Sequence, residues 1–144
     1  MDLIRKRTSS EVLKRGYSDA EIDHIYALGR MFLENGDLRK AEAIMHGLGE
    51  VAPDFAPAFL ALAYIQYHHK AIDDGVKLAR HALKLDQKCV EAALFLIAGL
   101  MTVGDLQSAG TYLGEIGDQI EAGQIEDPKC LRFYKAQLAR YQSK

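Results

Sequence analysis

Long apolar runs are missing from this 144-residue chain. No stretch approaches the roughly 18 consecutive apolar residues that a membrane-spanning helix needs. An excess of charge of one sign is missing too. The formal net charge is −2, so there is no electrostatic case for nucleic acid or an anionic membrane surface as partner. Cysteine is scarce: Cys89 and Cys130 form no Cys-x-x-Cys pair. Nothing in them points to an oxidising compartment, and both read as small buried hydrophobes. Proline is scarce as well, and Pro53, Pro57 and Pro128 all sit where helices should start or stop. β-branched runs and alternating strand patterns are absent, whereas alanine and leucine are abundant, which favours helix throughout. The opening MDLIRKRTSSEVLKRG lacks the apolar centre of a secretory signal, so a cytoplasmic protein is expected. With 49% apolar and 26% charged residues, the composition is that of one ordinary globular domain.

Catalytic constellations are missing in the same way. Adjacent residues on a helix do not face each other, so His68-His69 cannot chelate one ion alone. His24 and His46 fall on different predicted helices, without supporting cysteine or aspartate spacing. Gly47-Leu48-Gly49 is not followed by the Lys-Ser/Thr of a phosphate-cradling loop. No Gly-x-Ser-x-Gly elbow occurs. The expectation is a protein that is not an enzyme and carries neither cofactor nor metal.

What is present is a repeat. Shifted on itself by 34 residues, the chain superposes Leu28 on Leu62 and Leu96, and Ala41 on Gly75 and Ala109. Met45, Ala79 and Leu113 coincide, as do Leu48, Ala82 and Ile116. Small residues at 41, 75 and 109 suit two helices packed at the short end of the ~8–10 Å range, where a large side chain would wedge them apart. Gly36-Asp37 returns as Gly104-Asp105, while the middle copy has Lys70-Ala71. Glycine tolerates the left-handed conformation of a tight helix end, and the aspartate can cap the next helix. Ser18-x-x-Glu21 reads as a capping box that opens the first copy. The polar stretch 121–128 is a connector. Leu131, Tyr134, Leu138 and Tyr141 recur at helical spacing in a closing helix over 128–142.

Ile25, Leu28, Gly29, Phe32, Ala41, Met45, Leu48 and Pro53 resemble the tetratricopeptide (TPR) consensus, whose period is about 34. The later copies match less fully: Gln66 replaces the usual aromatic, and Gln87 and Glu121 replace the terminal proline. The resemblance implies a single all-α domain over 1–144. It comprises an N-terminal helix within 1–20 and three tandem helix-turn-helix repeats at 22–55, 56–89 and 90–123. These form a right-handed superhelix, with a C-terminal helix capping the exposed end as solenoids require.

In this family the first helices line a concave binding face. On that frame, Tyr26, Arg30, Leu33, Leu60, Tyr64, Tyr67, Leu94, Ala98 and Met101 are the candidate partner-binding groove. Tyrosine offers large contact area plus a hydroxyl, and methionine adapts to varied partners. An aromatic stripe at helical spacing is also what a core looks like, Tyr64 included. The clamp with which some TPR cochaperones hold acidic tails needs lysine and asparagine where this chain has Tyr26 and Arg30, so that activity is not expected. The whole layout resembles the TPR chaperones of bacterial type III secretion, either the class II translocator chaperones or those serving export-apparatus components. The resemblance is strongest over IYALGRMFLENGDLRKAEAIMHGLGEVAPDFAPAFLALAYIQY. It implies a chaperone that keeps a secretion substrate or component soluble and export-competent. Such chaperones are often dimeric, with the leading helix as candidate contact. The alternatives are a scaffold or adaptor binding a folded partner, or a regulatory subunit of an enzyme.

Overall fold

The structure is a computed structural model that describes residues 16–144. The leading helix expected within 1–20 lies largely outside the described residues. Those residues are all-helical: α1 Asp19–Glu34, α2 Leu38–Val51, α3 Ala56–His68, α4 Ile72–Leu85, α5 Val90–Val103, α6 Leu106–Glu121 and α7 Pro128–Gln142. Among them no helix is long and apolar enough to cross a membrane.

Punctuation residues set the helix boundaries. Ser18 Oγ accepts from the Glu21 amide, and the Ser18 amide donates to Glu21 Oε1 at 2.8 Å, which closes the capping box of α1. The Ser18 amide, helped by the Ser18 hydroxyl, holds the Glu21 carboxyl below its ordinary range. Pro57 sits in the first turn of α3 and Pro128 opens α7, where a missing amide donor costs nothing. Pro53 lies in the α2–α3 connector.

α1 pairs with α2, α3 with α4, and α5 with α6; each pair packs on the next through α2–α3 and α4–α5. The second helices begin at 38, 72 and 106, in step with the sequence offset. Ala41, Gly75 and Ala109 are all buried on them. Gly29 on α1 lies beneath Met45 and Ile44 of α2, with no room for a Cβ. Two clusters form the interior. One gathers Ile22, Met45, Leu48, Leu62 and Ile65; the other gathers Leu94, Leu96, Ile97, Leu100, Leu113 and Ile116; Leu78 packs against both.

The three turns share one backbone shape with unequal chemistry. Gly36 and Gly104 have φ of +83° and +91°, and the equivalent Lys70 has +67°. A left-handed conformation costs a residue with a Cβ roughly 1–2 kcal/mol. Asp37 and Asp105 cap the following helices through the Lys40 and Ser108 amides, at φ/ψ of −87/76° and −85/76°. Ala71, at −86/68°, offers no side-chain cap. Lys70→Gly with Ala71→Asn should therefore stabilise the protein by about 2 kcal/mol. Asparagine avoids a third carboxylate beside Asp73 and Asp74. Urea unfolding checks this, and an unchanged midpoint contradicts it.

α7 packs on α5 and α6. Its Leu131, Phe133, Tyr134 and Tyr141 lie against the second cluster, while Leu138 is half-buried. The Tyr141 and Tyr134 hydroxyls occupy the space where side chains at Gly110 and Gly117 of α6 would go, so α6 and α7 run antiparallel. Arg140 donates to Gln137 Oε1 at 3.1 Å and to Thr102 Oγ1 at 3.3 Å, which ties α7 to the end of α5.

Candidate functional site

The first helices of the three pairs leave a cavity of about 260 Å³ between them. α1 contributes Tyr26, Arg30, Leu33 and Glu34; α3 contributes Pro57, Leu60, Ala61 and Tyr64; α5 contributes Glu91 and Phe95. The spacing 26, 30, 33 and 57, 60, 61, 64 is one helical face on each element. Tyr64 is 41% exposed, an unusual state for so large a ring at the centre of three helices. Its ring meets Phe95 edge-on at 6.3 Å, and His68 stacks near its other side at 6.3 Å.

The charged rim is partly committed. Arg30 donates to the Tyr26 hydroxyl at 3.2 Å and to Glu34 Oε2 at 3.2 Å. The bond to Tyr26, followed by the Glu34 charge, raises the guanidinium pKa, so Arg30 is a fixed cation. The Tyr26 ring in turn meets Phe55 edge-on at 5.4 Å. The Glu91 carboxylate has no ion-pair partner among the described residues.

Five of the nine expected groove residues line this cavity: Tyr26, Arg30, Leu33, Leu60 and Tyr64. The other four lie elsewhere. Tyr67 turns into the core and donates its hydroxyl proton to the Phe95 carbonyl at 2.6 Å. Its ring fills the space over Gly75 of α4 and Gly99 of α5; without those two glycines the ring could not fit. Leu94 and Met101 are buried at 0% and 1% exposure, and Ala98 is half-buried outside the cavity. Leu94 and Met101 belong to the second buried cluster. α7 packs on α5, with Phe133 edge-on to Phe95 at 5.4 Å; the α5 residues that reach the cavity are Glu91 and Phe95. The sequence did carry a signal for this: Glu91 is the sole charge in VEAALFLIAGLMTV.

Burial pushes the thiols of Cys89 and Cys130 up, away from the reactive thiolate. Gln66, at the position of the usual aromatic, donates to Glu42 Oε2 at 3.2 Å and so links α3 to α2. His46 and His69 flank the same carboxylate at 3.5 and 3.9 Å. Among the described residues no three His, Cys, Asp or Glu side chains are placed to hold a metal ion.

Compared with models of known protein families and with curated protein sequences, the chain matches none.

Proposed function

We propose that this chain is a TPR-type repeat protein without catalytic activity of its own. It holds an extended segment of a partner protein in the cavity between α1, α3 and α5. The observation that carries this reading is that cavity: three first helices present tyrosine, phenylalanine and leucine around one half-open space, with Tyr64 exposed at its centre. The Tyr64 ring is steadied by Phe95 and His68 yet keeps 41% of its surface open, and aromatic anchors are enriched at binding hot spots. Support for the repeat reading comes from the 34-residue spacing of α2, α4 and α6 and from the equivalent turns at 36, 70 and 104. On the sequence resemblance, the partner is a type III secretion substrate or component, kept soluble and export-competent in the cytoplasm. The cavity does not suit an acidic chaperone tail, because Glu34 and Glu91 stand on its rim.

The scaffold reading has one observation of its own. A second cavity of about 280 Å³ opens elsewhere, lined by Leu83, Val90, Ala93, Tyr112 and Ile116 among others. Tyr64→Ala separates the two. A central aromatic anchor commonly contributes at least about 2 kcal/mol, so affinity for a partner isolated from the native host should fall roughly 30-fold. Helical circular dichroism should be unchanged, since the ring is half in solvent. Unchanged affinity with intact helix would move the binding surface off this cavity and favour the scaffold.

A further inference from the structure

The cavity also indicates what kind of segment it would take; this step rests on the reading just proposed. Among the described residues three charges stand on its lining: Arg30, Glu34 and Glu91. Arg30 and Glu34 satisfy each other at 3.2 Å. The net charge facing a ligand is therefore negative, and it resides on Glu91. Beside Glu91 are the rings of Tyr64 and Phe95, perpendicular to each other and 6.3 Å apart. An aromatic face next to a carboxylate attracts a cation twice, through the ring quadrupole and through the charge. Leu33 of α1 and Pro57, Leu60 and Ala61 of α3 give the cavity an apolar part. At about 260 Å³ the space is at the small end for ligand pockets and suits one or two side chains rather than a whole drug-sized molecule.

We infer that the segment bound here is apolar and basic. A leucine-like or aromatic side chain rests on Leu33, Leu60 and Ala61, and a neighbouring lysine or arginine lies against Glu91 beside Tyr64 and Phe95. The same arrangement rejects acidic segments, because among the described residues no uncommitted cation lines the cavity.

Three synthetic peptide pools test this on the full chain. They share leucine or phenylalanine anchors and differ at the neighbouring position, which is lysine, glutamine or glutamate. Fluorescence anisotropy at low salt should rank them lysine, glutamine, glutamate, with about tenfold between the extremes. The spread should shrink at about 0.5 M salt. Glu91→Lys, an exposed position, should invert the order with unchanged helical circular dichroism. Equal binding of all pools would overturn the charge assignment and leave the cavity reading standing. Preference for glutamate would overturn the assignment as well. Binding of none to the chain, to Glu91→Lys or to a variant with Arg5, Lys6 and Arg7 replaced by alanine would remove the cavity reading itself and this inference with it. The chain also contains Leu3-Ile4 followed by Arg5-Lys6-Arg7, the same chemistry. If the lysine pool binds only after Arg5, Lys6 and Arg7 are replaced by alanine, the chain's own segment is the occupant and a partner segment is not.

Discussion

Tyr67→Ala should cost about 3 kcal/mol, the low end of the range for deleting a large core ring, because the ring is tightly packed but partly buried. Tyr67 joins three helices. It starts on α3, fills the hollow over Gly75 of α4 and Gly99 of α5, and bonds the Phe95 carbonyl at 2.6 Å. Both glycines lack the atoms to close the gap, so the cavity stays. Urea unfolding should show the loss as a lower midpoint. A midpoint within about 0.5 kcal/mol of wild type would mean that Tyr67 is not core. The hydroxyl adds a pH signature. Burial raises the Tyr67 pKa to about 12, from an ordinary value of 10.0. A group whose folded pKa is raised contributes stability that is complete below its unfolded pKa and is lost as pH rises through the folded one. Stability should therefore decline between about pH 10 and 12. Tyr67→Phe should remove that decline while losing about 1 kcal/mol at neutral pH with the hydrogen bond.

Deleting residues 128–144 should be as damaging. The deletion removes Leu131, Phe133, Tyr134 and Tyr141 from the second cluster and uncovers the α5 and α6 surfaces beneath them. Four large half-buried side chains together contribute more than about 4 kcal/mol. The hollows at Gly110 and Gly117, shaped for tyrosine, would face water. The truncated chain should lose cooperative unfolding in its C-terminal half, or associate through the exposed surface. Sedimentation velocity and thermal unfolding read both. A monomer of unchanged melting temperature would show that α7 is not a cap.

The helical pairs could be read from the sequence because the turn residues and the small positions recur in one frame. Ser18, Gly36, Asp37, Gly104, Asp105 and Pro128 each act locally, through a cap, a left-handed φ or a missing donor. The cavity was legible where the repeat frame places first-helix residues: Tyr26, Arg30 and Leu33 on α1, and Leu60 and Tyr64 on α3. It was not legible on α5, which is apolar all round. There a helical pattern does not separate the face that joins the second cluster, with Leu94 and Met101, from the edge that reaches the cavity, with Glu91 and Phe95. Tyr67 was misplaced for a related reason. Tyr64 and Tyr67 look alike in the frame, and what separates them is the pair Gly75 and Gly99, remote in sequence, which opens a hollow for one ring only.

The central claim is that the space between α1, α3 and α5 is the binding surface. Amide chemical-shift mapping tests it most directly, with ¹⁵N-labelled protein titrated with its partner segment. A segment bound there should give the largest changes at Tyr26, Leu33, Leu60, Tyr64, Glu91 and Phe95, with α2, α4 and α6 little affected. Changes concentrated at Leu83, Val90, Tyr112 and Ile116 around the second cavity, with the first cavity silent, would contradict it.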